Sequence, residues 1–273
     1  MIGRRGRTRA GRLNHIRRGE GEPLLLLHSL GGSLVQWSPV LDTLATEREV
    51  VAVDMPGFGR SLSLPEGIDP SAANLATAVL DFCESLGLDG APHVAGISLG
   101  GWTAIECARQ GGARSVVALS PAGFWRRSPA SSNNAVARAR RGGRALGPAV
   151  WVMALTAQGR RRMLGRFFRH PERLSPREAM AVAGAYVTAP GYAEASALMR
   201  AGRVEDLKGI KVPITIAWAE YDTLVRTTPL KPGILPKRVR QITLPECGHV
   251  PTWDDPDLVA RVVLEGTDTR DAH

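Results

Sequence analysis

Apolar residues in this chain fall into short runs separated by stretches in which they recur every three or four positions. The runs at 24–27, 50–53, 116–120 and 212–218 are nearly unbroken, and 92–95 and 240–244 read as two more of the same kind. Runs of this length predict strands, and those without polar alternation predict strands covered on both faces. Between them the period is helical. Leu75, Ala78, Val79, Phe82 and Leu86 share one face of a helix predicted over 72–86. Trp37, Val40, Leu41 and Leu44 do the same over 34–46, with Ser33 as the expected cap. A third helix is predicted over 100–110, and a last one, opened by Asp254 and Asp255, buries Leu258, Val259, Val262 and Val263. Residues 8–18 alternate weakly and predict an early antiparallel strand. Strands alternating with helices through short connections give the fold class α/β: a mostly parallel sheet covered by helices on both faces.

The alternation stops over 124–203, where helical and loop patterns rich in Arg and Ala take over. A helical insertion between strands of one sheet predicts a cap. The expected division is therefore a core of 1–123 and 204–273 with a cap of 124–203. The apolar side chains of the insertion, Trp151, Phe167, Phe168 and Tyr186 among them, could line a pocket beneath it, though most are expected to hold it together.

Charge changes the picture less than its total suggests. The 273 residues carry a formal net charge of +9, but seven arginines lie in 1–18 and eleven in 125–170, neither stretch containing an acid. The remaining 17 Lys and Arg face 26 Asp and Glu, so the main body is acidic. No nucleic-acid module accompanies the arginines, and solvated helix faces are the expected role. A basic insertion, with Arg138, Arg140, Arg141 and Arg144, could also draw anionic substrates. Nucleic acid is not an expected partner, and a small molecule is. No apolar run is long enough to span a bilayer, and the N-terminal arginines lack the apolar region of a secretory signal, so the expectation is a cytoplasmic protein. Cys83, Cys107 and Cys247 have no metal-type spacing and read as reduced thiols; no metal or cofactor is expected. Monomer and homodimer both stay open.

The candidate chemistry begins at Gly96-Ile97-Ser98-Leu99-Gly100, a G-x-S-x-G between a strand and a helix. A nucleophile that must stand clear of its backbone sits on a tight, strained turn, and side chains two residues to either side would collide there. Two further groups fall after later strands: Asp222 in Glu220-Tyr221-Asp222, and His249 in Gly248-His249-Val250-Pro251. A serine hydroxyl needs an imidazole to take its proton, and that imidazole needs an acid to fix its tautomer. Attack on a carbonyl also needs two donors aimed at the oxyanion, for which the N–H groups of Leu30 and Leu99 are candidates. Leu30 lies in His28-Ser29-Leu30-Gly31-Gly32, just past a predicted strand.

With these motifs the chain resembles the α/β-hydrolase superfamily, in its capped branch with one inserted helical lid, over residues 13–264. The resemblance rests on the His28–Gly32 loop, the turn Asp54-Met55-Pro56-Gly57-Phe58-Gly59-Arg60-Ser61, the elbow around Ser98, and the loops holding Asp222 and His249. It implies a Ser98–Asp222–His249 triad, with the spacing favouring Asp222 over Glu220, and an oxyanion hole at Leu30 and Leu99. It also sets His28 to shape the oxyanion loop; His28, Trp37 and Trp102 are near enough to line the site, with core packing the expected role of the two tryptophans. Ser29 departs from the glycine usual after that histidine and resembles the Ser-Leu-Gly of enol-lactone hydrolases. Epoxide hydrolases and haloalkane dehalogenases of the superfamily carry aspartate at the elbow, so Ser98 implies acyl transfer instead. The expected function is hydrolysis of a carboxylic ester of a small, largely apolar substrate. The alternatives are C–C hydrolysis of a vinylogous diketone, a lactonase on the same triad, and a non-catalytic ligand-binding protein.

Overall fold

The computed structural model describes residues 13–125, 147–225, 235–236 and 239–268. Their centre is a seven-stranded sheet. In chain order its strands are β1 (His15–Arg18), β2 (Pro23–Leu27), β3 (Glu49–Val53), β4 (His93–Ile97), β5 (Ser115–Leu119), β6 (Ile214–Ala219) and β7 (Val239–Leu244). In space the order is β1-β3-β2-β4-β5-β6-β7, and only the β1–β3 pair is antiparallel. Every residue of β2, β4 and β5 is buried, which is why Leu24–Leu27 carries no polar alternation. The edge strands β1 and β7 each turn residues to solvent, and their sequences are correspondingly mixed.

Helices cover both faces. The short α1 (Leu41–Leu44), α2 (Ala72–Ser85), α3 (Leu99–Arg109) and, at the end, α8 (Pro256–Gly266) pack on the sheet. Gly266 lies so close to it that a Cβ there would stand 2.6 Å from Val117 Cγ2. Between β5 and β6 the regular elements are all helical among the described residues. They are α4 (Gly147–Leu155), α5 (Ala157–Leu164), α6 (Pro176–Thr188) and α7 (Tyr192–Ala201), with short 3-10 turns. The segment leaves the sheet at Gly123 and returns at Val204, whose N–H donates to Gly123 O at 3.1 Å. Trp102 of α3 fills this neck, its ring within reach of a Cβ at either Gly123 or Gly202.

One expectation is corrected. The helix predicted over 34–46 is a 3-10 turn, Leu34–Trp37, followed by the one-turn α1. Pro39 lacks the N–H that a continuous helix would need there, and Ser33 makes no side-chain cap. The early antiparallel strand predicted within 8–18 is β1; residues 8–12 lie outside the described residues, as do Arg138, Arg140, Arg141 and Arg144. No helix among the described residues is long and apolar enough to cross a membrane.

The chain runs from β2 outward to β3 and then crosses to β4 on the other side of β2. A reversal of this kind opens a crevice at the carboxyl ends of the two central strands. Leu27 of β2 pairs with Gly96 of β4, so residues 28–32 are delivered beside Ser98. The approach is tight: a Cβ on Gly100 would lie 2.4 Å from Leu27 O and 2.5 Å from His28 O. Gly100→Ala is therefore expected to cost about 3 kcal/mol or more, since backbone on both sides has to move. Gly184, inside α6, has nothing within 4 Å of its missing Cβ. Gly184→Ala should instead gain about 0.5–1 kcal/mol from helix propensity. Urea unfolding midpoints of the two variants, moving in opposite directions from the parent, check the pair.

Candidate active site

Ser98 sits between the last residue of β4 and the first of α3, with φ 56° and ψ −113°. A positive φ is unusual for serine and stores strain that the surroundings must hold. Three backbone hydrogen bonds do so. The Ser98 N–H donates to Leu119 O at 2.9 Å, and Ser98 O accepts from the N–H groups of Trp102 and Ala122, both at 3.0 Å. Gly96 is required because a Cβ there would meet Gly100 O at 2.1 Å. Leu99, at the first position of α3, presents an N–H with no helical acceptor.

The loop after β2 runs beside this turn. His28 is fully buried, and its Nε2 accepts from the Met55 N–H at 3.0 Å. Nδ1 therefore carries the proton and donates to Ser29 O at 2.8 Å. Burial depresses the His28 pKa, opposed only in part by the Ser29 carbonyl and by Asp54. Both ring nitrogens are thus occupied by backbone, in line with a role in shaping the loop. Asp54 fixes the neighbouring turn: Oδ1 accepts from the Leu34 N–H (2.7 Å), and Oδ2 from Asn14 Nδ2 (2.7 Å) and the Arg60 N–H (2.9 Å). Neither the Leu30 nor the Leu99 N–H donates to another group among the described residues.

Asp222 follows β6 and His249 follows β7, so adjacent parallel strands deliver both loops to the same end of the sheet as Ser98. His249 Nδ1 lies 2.7 Å from Asp222 Oδ2, and both side chains are buried. The other carboxylate oxygen accepts from the N–H groups of Leu224 (2.8 Å) and Val225 (2.9 Å). Burial by itself would raise the Asp222 pKa. The His249 charge and hydrogen bond, with the two backbone N–H groups, outweigh it and hold the carboxyl below its ordinary value. Glu220 is exposed and accepts from the Glu246 N–H at 3.0 Å instead of meeting His249. The neighbouring Cys247 thiol is buried and pushed up to about 12 by that burial, which keeps it protonated and inert.

The inserted segment meets the His249 loop. Asp254, expected with Asp255 to cap the last helix, does something else. Its carboxylate accepts from Gly248 N–H (2.8 Å) beside His249, and from Arg169 N–H (2.9 Å) and His170 N–H (2.7 Å) in the insertion. Asp255 alone caps α8, accepting from the Leu258 N–H at 2.9 Å. One carboxylate therefore joins the His249 loop to the insertion. The other candidates are dispersed. Trp37 is wholly buried in the core, Trp102 fills the neck, and Trp151 on α4 is 54% exposed. Sequence reasoning missed Gln36, and named Tyr186 only as one of the apolar residues of the insertion that could line a pocket. Both contact the Ser29 side chain, and a polar residue inside an apolar turn was the one local signal for Gln36. No group of three or more His, Cys, Asp or Glu suited to a metal ion occurs among the described residues.

Comparison with known proteins identifies the family. The sequence model described as "Alpha/beta hydrolase family" matches residues 22–262. Over 205 residues the chain is 28% identical to an epoxide hydrolase of Mycobacterium tuberculosis, covering 71% of this chain and 93% of that one. It is 39% identical over 116 residues to the dihydrolipoyllysine-residue acetyltransferase component of the acetoin cleaving system of Cupriavidus necator. That match covers 41% of this chain and 30% of the component's own length. Among solved structures, the enol-lactonase from Burkholderia xenovorans LB400 superposes with a TM-score of 0.72 at 24% identity, covering 93% of this chain and 95% of the lactonase. That likeness is one of fold.

Proposed function

The chain belongs to the alpha/beta hydrolase family, and from that premise we propose that it is a serine hydrolase acting on the carboxylic ester of a small, largely apolar substrate. The observation that carries the reading is the 2.7 Å contact between His249 Nδ1 and Asp222 Oδ2, two loops away from a serine held at φ 56°. An Nδ1–H donated to a carboxylate leaves Nε2 without its proton and able to accept one. In the proposed reaction His249 Nε2 takes the hydroxyl proton of Ser98 as Oγ attacks the ester carbonyl. The N–H groups of Leu30 and Leu99 receive the oxyanion. His249 then returns the proton to the departing alkoxide, leaving an acyl group on Ser98. Water, deprotonated by the same nitrogen, hydrolyses the acyl-enzyme and restores the hydroxyl. Asp222 stays ionised throughout and stabilises the imidazolium.

Residues 124–203 act as the cap in this reading and 1–123 with 204–273 as the core, a division supported by the Val204–Gly123 hydrogen bond at that boundary. Serine in place of the elbow aspartate of epoxide hydrolases favours acyl transfer over alkyl transfer. A fluorophosphonate probe tests the nucleophile: the folded protein should gain one adduct, mapped to the peptide containing Ser98, and no adduct there would overturn the reading. A panel of chromogenic esters of graded chain length, with a lactone and a vinylogous diketone, tests the substrate class. Turnover of the diketone with only weak esterase activity would replace ester cleavage by C–C hydrolysis.

A further inference from the structure

The oxyanion loop is fastened from outside itself. Ser29 is held at three points. Its N–H donates to Gln36 Oε1 at 2.9 Å, its Oγ accepts from Gln36 Nε2 at 2.9 Å, and its carbonyl accepts from His28 Nδ1 (2.8 Å) and the Gly32 N–H (2.9 Å). The triangle is completed from α6, 157 residues further on. Tyr186 Oη lies 3.0 Å from Ser29 Oγ and accepts from Gln36 Nε2 at 3.1 Å. Ser29, Gln36 and Tyr186 are all buried, so each side chain of the triangle depends on the other two for partners that water would otherwise supply.

The phenol ring adds contact to the hydrogen bonds. Gly31, at φ +74°, passes so near that a Cβ would lie 2.7 Å from Tyr186 Cδ1 and 2.8 Å from Tyr192 Cδ2. On its other side the Tyr186 ring stacks on Phe167, centroid to centroid 4.4 Å. Phe167 O in turn accepts from the Val250 N–H at 2.8 Å, one residue past His249. The loops on either side of Ser98 are therefore connected through the inserted helices.

We propose that Tyr186 is a positioning residue for the oxyanion hole: by fixing Ser29 it aims the Leu30 N–H, and so makes the aim of that donor depend on the seating of α6. The geometric link is the peptide plane. In a trans peptide C=O and N–H point in opposite directions, so whatever fixes the Ser29 carbonyl fixes the Leu30 N–H. His28 and the Gly32 N–H hold that carbonyl directly, and Tyr186 bears on it by holding the Ser29 side chain. Ser29, where the superfamily usually has glycine, supplies the hydroxyl that makes the connection. The consequence for catalysis rests on the serine-hydrolase reading above; the structural coupling does not.

Tyr186→Phe keeps the ring, its stack on Phe167 and its contact with Gly31, and removes only the hydroxyl. Misaiming one oxyanion donor, without deleting it, is expected to lower kcat for a short p-nitrophenyl ester by roughly tenfold while leaving KM within about twofold. Ser29→Ala should give a similar loss, and the double variant no more than either alone, because both break one connection. Hydrogen–deuterium exchange supplies the second readout: amides of residues 29–32 should exchange faster in Tyr186→Phe than in the parent. Unchanged exchange there overturns the proposal, as does faster exchange with kcat intact. So do additive losses in the double variant, which would make the two hydroxyls independent. If the parent protein neither turns over esters nor labels at Ser98, the functional reading falls, and the exchange measurement still decides the coupling.

Discussion

Ser98→Ala is expected to reduce ester hydrolysis by roughly 10⁴- to 10⁶-fold, the range seen when the nucleophile of a working triad is removed. What survives is the rate that binding and the oxyanion donors give to attack by water. The loss should fall on kcat, with fluorophosphonate labelling abolished and KM little changed, because the missing oxygen contributes bond-making and not ground-state affinity. Stability provides an internal control. Alanine at φ 56° is as strained as serine, and Ser98 makes no side-chain cap to α3, so the urea midpoint should hardly move. Ser98→Gly should be equally inactive but more stable, by about 1 kcal/mol, since glycine adopts positive φ without penalty. A Ser98→Ala protein that retains parental turnover would remove the nucleophile from the mechanism.

Asp222→Asn is expected to cost about 10⁴-fold in kcat with the fold preserved. The reason lies in which oxygen does what. Oδ1 accepts from Leu224 and Val225, so an asparagine keeps its carbonyl there and turns its NH₂ toward His249. Facing a donor, Nδ1 gives up its proton to become the acceptor, and the imidazole carries its hydrogen on Nε2, where it cannot take another from Ser98. The variant also reports on acid stability. Asp222 is held below its ordinary carboxylate value in the folded chain. Its contribution is therefore complete above the unfolded-state value and is lost as pH falls through the lowered one. Acid titration of the unfolding free energy should show that loss in the parent and lack it in Asp222→Asn. Wild-type kcat in the variant would instead leave His249 without need of an orienting acid.

The contrast between these residues and the rest of the site explains what the sequence could reveal. Strands such as Leu24–Leu27 and the elbow glycines are local: each is specified by neighbours within a few residues, and the predicted sheet and elbow were legible for that reason. Asp222 and His249 are 27 residues apart in sequence, but each follows its own strand, and parallel strands deliver their ends to one place. The break in the predicted helix over 34–46 was also local, and Pro39 was its sign. The partners of Ser29 were not legible. Gln36 looks like a polar residue in an amphipathic turn, and Tyr186 like one more aromatic of the insertion; their meeting across 150 residues is decided by tertiary packing alone. Asp254 was misread for the opposite reason. Beside Asp255 it looks like half of a capping pair, whereas its carboxylate accepts from the backbone on either side of a seam between two parts of the chain.

The neck at Gly123 and Val204 bears on how such a protein changes its diet. Because the ends of an insertion about eighty residues long meet in a single hydrogen bond, the sheet registers two adjoining residues however much chain lies between them. Lengthening a closed loop costs little entropy, about 0.6 kcal/mol for each doubling. Chain can thus be added or lost beyond that point with little effect on the sheet beneath. The loops after β2 and β7 stay tied to the insertion through Tyr186, Phe167 and the backbone that meets Asp254. In the proposed reading Ser98 belongs to the sheet, and what covers it sets which substrates reach it. What limits a change of cover is whether a new roof still offers a hydroxyl to Ser29 and a backbone amide to Asp254.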